Sequence, residues 1–236
     1  MTKTVLSVQE AVNIFYARHF AYDMLRRFFI EEPSKEYLKE FVQKNMIKLF
    51  PFADDSEGIR AGMNQVESYL ATHDVVNIEK HYDDLHWDYT RMFVGPFELP
   101  TPPWESAYVR KDKLLFQGTT MNVRKIYEKY AIEVTDYNIE ADDHIGLELD
   151  FMFHLNKFCL EVAEGGNPDE YRAFSKLIKE QHQFLQDHLL KFVPQFSELV
   201  GKEANTEFYA GLAKILHHYL QVDSEVLKQL VNTEIV

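Results

Sequence analysis

The residues able to do chemistry gather in two stretches about forty positions apart. The first, Gly95-Pro96-Phe97-Glu98-Leu99-Pro100-Thr101-Pro102-Pro103-Trp104-Glu105-Ser106-Ala107-Tyr108, holds one glycine and four prolines between Gly95 and Pro103. Such a run cannot be helix and reads as an ordered, extended loop. The second, Glu140-Ala141-Asp142-Asp143-His144-Ile145, continues through Glu148, Leu149 and Asp150, giving five acids and no Lys or Arg between Ile139 and Asp150. From Glu79 to Glu105 there are six more acids (Glu79, Asp83, Asp84, Asp88, Glu98, Glu105) against Lys80 and Arg91. If the segments meet, they form an acidic cleft walled by Trp87, Tyr89, Phe93, Phe97, Trp104 and Tyr108. Carboxylates accept paired hydrogen bonds from guanidinium groups, and apolar walls take aliphatic side chains, so this cleft suits an arginine-bearing peptide with a hydrophobic tail.

A plainer reading stands beside that one. Asp142 and Asp143 can cap free amides at a helix start, and on a helical wheel His144, Glu148, Met152, Leu155 and Cys159 share one stripe, away from Asp143, Asp150, His154, Lys157 and Glu161. A carboxylate heading an apolar stripe needs a partner, and the spacing offers His144 to Glu148. The aromatics, taken alone, are ordinary helix-core packing.

Other chemistries lack their motifs. There is no Gly-x-Gly-x-x-Gly, no phosphate loop around Gly201-Lys202, no Gly-x-Ser-x-Gly about Ser106, and no His-Glu-x-x-His. A di-iron bundle needs Glu-x-x-His on two helices, a spacing that never occurs, and His81/His86 and His182/His188 are too widely spaced to share a close stripe. No metal and no cofactor are expected. His73-Asp74 is the one His-Asp dipeptide, the seed of a metal-dependent phosphohydrolase or simply a polar pair at a helix end.

At 236 residues, with 46% hydrophobic residues and 33 aromatics, the chain has the material for a substantial core. The lone Cys159 permits no intrachain disulfide and fits a reducing compartment. Met1 to Ser7 has no long apolar run before Gln9 and Glu10, and no window approaches a membrane span, so a soluble cytoplasmic protein is expected. A net charge of −13 disfavours nucleic acid, which demands clustered Lys and Arg.

The elements that must carry these residues are helical, because apolar positions recur at helical spacing almost throughout. The expected fold is all-α, a compact bundle of roughly nine to ten helices. Ser7-Val8-Gln9-Glu10 has capping-box spacing and opens a long helix running toward Pro33. Further helices are predicted over Ser34–Leu49, Asp54 or Ser56 to His73, Asn77–Phe93, Thr119–Ala131 and Asp142–Ala163. Another starts with Asn167 as cap, Pro168 at the first position and Glu170 at the third, and reaches Phe192. Pro194–Gly201 reads as a break before helices over Asn205–Gln221 and Asp223–Val231. A polar hinge at 139–144 would join sub-domains 1–138 and 145–236 of one all-helical domain, and permits either a monomer or a domain-exchanged dimer.

The Gly, Pro-Pro, Ser and aromatic pattern of Gly95 to Tyr108, followed by Glu140-x-x-Asp143-His144-Ile145 and an apolar helix, resembles the TorD/DmsD family of leader-binding chaperones. Phe93-Val94-Gly95-Pro96 and Pro102-Pro103-Trp104 lie nearest the DmsD branch, while Ala141 stands where the family usually has proline. The resemblance covers about Tyr82 to Met152 closely. It implies a cytoplasmic, non-enzymatic protein that binds the twin-arginine leader of a molybdopterin-dependent reductase of the dimethyl sulfoxide or trimethylamine N-oxide type, an enzyme of anaerobic respiration. It also implies contact with the precursor and with cofactor-insertion or export machinery. Trp104, Ser106, Tyr108, Asp143 and His144 would line or support the leader site, with Gly95, Pro96, Pro102, Pro103, Glu140 and Glu148 as hinge or supporting residues and Trp87, Tyr89, Phe93 and Phe97 as an aromatic wall. The competing readings are the His73-Asp74 phosphohydrolase and a helical adaptor that grips a folded subunit.

Overall fold

Side-chain caps set several of the helix starts. In a computed structural model that describes residues 4–96, 98–110, 118–132, 140–165 and 171–235, the Ser7 hydroxyl accepts the Glu10 amide while the Glu10 carboxylate accepts the Ser7 amide, opening α1 (Val8–Phe29). Ser34 caps α2 (Lys35–Gln43) and Ser56 caps α3 (Glu57–Thr72). The single helix predicted over Ser34–Leu49 is two pieces, because Asn45 takes the left-handed conformation (φ 51°) and a 3-10 turn, Met46–Leu49, follows. Next come α4 (Glu79–Tyr89) with a π-helical turn at Thr90–Val94, the single turn α5 (Ser106–Val109), α6 (Gly118–Glu128) and α7 (Ile145–Gly165). The helix α8 (Tyr171–Phe184) continues through a second π turn, Leu185–Leu189, into α9 (Leu190–Glu203), and α10 (Glu207–Val231) completes the bundle.

The described residues thus form the expected all-α bundle, with ten helices. It has one small addition: β1 (Thr4–Leu6) pairs in parallel with β2 (Thr233–Ile235), Thr4 opposite Thr233 and Leu6 opposite Ile235. Three-residue strands are too short to leave an alternating pattern in the sequence.

Two predicted breaks are absent. Pro194 lies inside α9, just after the π turn, and burial of Phe192, Val193, Phe196 and Val200 carries the helix through the missing backbone hydrogen bond. The break before Asp223 is absent because that residue does not cap a helix. It is buried within α10, where its carboxylate takes Arg18 through both oxygens (Nε to Oδ1 2.5 Å, Nη2 to Oδ2 3.0 Å) and the Tyr22 hydroxyl at 2.7 Å. The predicted caps Asn167, Pro168 and Glu170, and the hinge residues up to 139, lie outside the described residues.

Elements on both sides of 139–144 share one hydrophobic core. In it α1 packs along α7, and α10 lies against α3, α8 and α9. The α3–α10 crossing is a glycine contact: a Cβ on Gly62 would come within 2.7 Å of the Gly211 carbonyl, and one on Gly211 within 2.8 Å of the Gly62 carbonyl. Fully buried Arg18 on α1 joins three helices, since Nη1 also donates to Asn156 of α7 at 2.7 Å while Asn156 donates to the Phe15 carbonyl at 2.9 Å. Among the described residues no helix is long and apolar enough to cross a membrane.

Because Arg18 has no water to fall back on, Asp223→Asn should cost about 3–5 kcal/mol in urea denaturation, and a loss under about 1 kcal/mol would contradict the three-helix tie. Burial pushes the Cys159 thiol up to about 12, despite nearby Arg18 and a hydrogen bond from Gln181. A disulfide reagent should therefore label it only as fast as the protein unfolds, and immediate labelling of native protein would contradict that burial.

Candidate functional site: a proline-rich loop clamped to the start of α7

The loop leaves the π turn at Gly95, whose φ of 90° suits glycine and whose amide returns to the Thr90 carbonyl at 2.9 Å. Thr101 then fastens the loop to the helix it has left, its buried hydroxyl donating to the Met92 carbonyl at 3.1 Å. Farther on the loop meets the chain that leads into α7. The Glu105 amide donates to the Asp143 carbonyl at 2.9 Å and the Ile145 amide to the Pro103 carbonyl at 2.7 Å, so Trp104 and His144 face each other as a short antiparallel pair. Pro96, Pro102 and Pro103 stiffen the approach, and the Pro102 carbonyl accepts the Tyr108 hydroxyl at 2.8 Å.

Asp143 is the centre of this arrangement. Its carboxylate is fully buried; Oδ2 accepts the Ser106 amide and Oδ1 the Thr120 hydroxyl, each at 2.8 Å. One side chain thereby joins the loop, α6 and the start of α7. Asp142 makes a second tie to α6, pairing with Arg124 at 2.7 Å, while the Tyr127 hydroxyl donates to its carbonyl at 3.1 Å. The His144 Nδ1 accepts the Gly146 amide at 3.0 Å, which leaves the ring proton on Nε2. Burial lowers the affinity of that ring for a second proton, against the pull of Glu140 and Asp143. α7 starts hard against the end of α1, where a Cβ on Gly146 would come within 2.2 Å of the Ile30 Cα.

Half-buried Trp104 donates its indole N–H to Glu140 Oε1 at 2.5 Å, and the same oxygen accepts the Ala141 amide at 3.0 Å. A proline at position 141 has no N–H and would leave Glu140 with the indole alone. Outside this clamp lies a groove of about 740 Å³, lined by Leu99, Pro100, Trp104, Tyr108 and Leu199 with Glu98 and Arg110 among its polar groups. Tyr108 rests on Phe192 and Phe196 of α9, with ring centroids 5.7 and 6.3 Å away.

The structure therefore brings Trp104, Ser106, Tyr108, Asp143, His144, Glu140, Pro102 and Pro103 together, with Trp104 and Tyr108 facing the groove and Ser106, Asp143 and His144 buried behind it. Tyr89, Phe93 and Trp87 do not line this groove. Tyr89 and Phe93 are buried against Tyr209, and Phe93 also against Phe196; Trp87 projects from α4 with 63% of its surface exposed, and Phe97 lies outside the described residues. Several of the acids are answered elsewhere: Asp88 accepts the amides of Asn205 and Thr206 at the start of α10, and Asp150 pairs with Arg26 at 2.7 Å.

Glu148 departs from the expected i, i+4 partner. Its carboxyl does not bond His144, whose Nδ1 is already taken by Gly146, and it lies instead in a buried pocket with Glu105 and His188. Burial above all, then Glu105 and Asp143, raises its proton affinity well above that of an ordinary carboxyl. Thr120, Arg124 and His188 are not among the predicted site residues, and Glu105 is among them only as one acid of the cleft. Contacts such as Glu105 to His188, 83 positions apart, leave no trace in local spacing.

At the competing site, His73 stacks on Tyr69 with centroids 4.1 Å apart, and Asp74 accepts the amides of Val76 and Asn77 as a turn cap. Both side chains are engaged in local structure, and the phosphohydrolase reading finds no support.

With loop, clamp and groove in place, comparison with known proteins gives the same assignment as the motifs. A family model described as "Nitrate reductase delta subunit" matches residues 53–198. Relatives include a "Chaperone protein TorD" of Aliivibrio salmonicida, 25% identical over 207 residues (87% of this chain, 92% of that protein). A second "Chaperone protein TorD", of Aliivibrio fischeri, is 28% identical over 145 residues, covering 61% of this chain and 64% of that one. A "Tat proofreading chaperone DmsD" of Salmonella typhi is 28% identical over 133 residues, covering 56% and 57%. The chain belongs to the nitrate reductase delta subunit family, in the group that holds the TorD and DmsD chaperones. Similarity to TorD and DmsD proteins alike does not distinguish the DmsD branch.

Asp143→Ala strands two buried donors, each costing about 1–3 kcal/mol, and should both lower stability and expose the 95–110 loop to limited proteolysis. A variant with native stability and native resistance would remove Asp143 from the clamp.

Proposed function

We propose that this protein is a maturation chaperone that holds the twin-arginine leader of a molybdopterin-dependent reductase catalytic subunit, of the dimethyl sulfoxide or trimethylamine N-oxide reductase type. It does so in the cytoplasm and delays export until the cofactor is inserted. The observation that carries this reading is the groove beside Trp104, open to a peptide yet rigidly backed by the Asp143 clamp. Family membership and the names of the relatives support the same role.

The leader's arginines would meet the carboxylate of Glu98 at the groove, with Glu140 behind Trp104, and its apolar stretch would lie on Leu99, Pro100, Tyr108 and Leu199. Guanidinium groups pair well with carboxylates, and an extended apolar segment suits a proline-edged wall. Ser106, Asp143 and His144 act from behind, by fixing the shape of the wall rather than by touching the peptide. The work is binding, and no bond is made or broken.

Trp87→Phe leaves Trp104 as the sole tryptophan. Its emission should shift saturably as a twin-arginine reductase leader is added, and Trp104→Ala should weaken leader binding about 10- to 100-fold, the effect of removing an aromatic anchor. An unchanged spectrum with unchanged affinity would place the leader elsewhere. Binding of a precursor that persists after deletion of its leader would favour an adaptor that grips the folded subunit.

A further inference from the structure

Behind the clamp, three side chains from three separate elements converge in a buried pocket: Glu105 at the end of the loop, Glu148 on α7, and His188 in the π turn between α8 and α9. Their exposures are 3%, 0% and 8%. One ligand atom from each lies within 4.8 Å of the others, and Glu105 Oε2 meets His188 Nδ1 at 2.9 Å. Glu148 supplies a second, separate observation. Neither of its carboxyl oxygens is met by a donor group among the described residues, its near polar neighbour being the Glu105 carboxyl, although the side chain has no access to water. A buried carboxyl without a donor is costly, and two carboxyls facing one imidazole invite a positive charge between them.

We propose that Glu105, Glu148 and His188 form a binding site for one divalent transition-metal cation of the zinc class. The donor set narrows the ion. Two carboxylates and an imidazole suit Zn²⁺, or Mn²⁺ and Fe²⁺, whereas Ca²⁺ and Mg²⁺ prefer all-oxygen sites and Cu⁺ prefers sulfur. Donors bound to zinc at about 2.0–2.2 Å sit close enough together that this pocket needs only small side-chain movement to enclose the ion. Three protein ligands leave a fourth position for water.

His188 also gives the ion a route in, because it lines a cleft of about 90 Å³ that is walled by Tyr130, Phe151, Leu155 and Phe184. Its place in a π turn fits the same role, since such turns widen a helix to aim a side chain that a regular turn would direct elsewhere. The site is independent of the leader groove in its ligands but not in its setting. Glu105 directly follows Trp104, so a bound cation would fasten the groove wall to α7 and to the α8–α9 junction.

The test is titration of chelator-stripped full-length protein with Zn²⁺ alone, followed by calorimetry and thermal unfolding, with Co²⁺ as the spectroscopic probe. The expected result is one ion per chain, a raised melting temperature, and the visible absorption of four- or five-coordinate Co²⁺. Glu148→Gln and His188→Gln, each with native circular dichroism, should weaken binding at least tenfold. No saturable binding, or equal binding by both variants, would overturn the site. If a variant fails to fold, wild-type protein still decides: the weak band of six-coordinate Co²⁺, with no stabilisation by Zn²⁺, would mean surface-bound ions and end the proposal.

Discussion

A single buried carboxylate holds this site together. Asp143 takes one donor from the proline-rich loop and one from α6, while its own backbone carbonyl takes the Glu105 amide. The loop has little regular hydrogen bonding of its own, so its shape depends on what it is tied to. Trp104 is presented at the groove because the residues on either side of it are bonded to the chain that enters α7. The clamp in turn needs α7 to start where it does, and that start is fixed by the close approach of Gly146 to the end of α1.

The same economy of buried polar groups recurs deeper in the bundle. Arg18, Asn156, Tyr22 and Asp223 satisfy one another across α1, α7 and α10, and Asp88 serves as a cap for α10 from a different helix. Such groups add little net stability over an apolar core, but they allow only one register of packing, since any slip strands a charge. Asp88, Asp142, Asp143 and Asp223 are thus spent inside on structure.

The helices were legible in the sequence wherever local chemistry decides. Ser7, Ser34 and Ser56 cap where their spacing requires, and the all-α pattern follows from apolar periodicity. What could not be read is what distant residues decide. Pro194 looks like a stop, yet buried Phe192 and Phe196 outweigh one lost hydrogen bond; Asp223 looks like the start of a new helix, yet it answers an arginine 205 positions away. Within the site, the two motifs located the loop and its partner correctly because each is written in contiguous residues. The division of labour between them was hidden. Spacing gave Glu148 to His144, and only the fold shows that Gly146 has taken that imidazole and that Glu148 faces Glu105 and His188. Likewise Tyr89 and Phe93, drawn into an aromatic wall from composition, lie in the core.

The central claim is that the groove beside Trp104 recognises a peptide through an arginine pair and an adjoining apolar stretch. Calorimetric titration of the purified protein with a twin-arginine reductase leader, against the same leader carrying Lys-Lys in place of Arg-Arg, tests it most directly. The account predicts saturable binding at one leader per chain and clearly weaker binding of the lysine peptide, because a lysine cannot make the paired hydrogen bonds of a guanidinium. Equal affinity for the two peptides, or no binding to leaders from several reductase types, would contradict it.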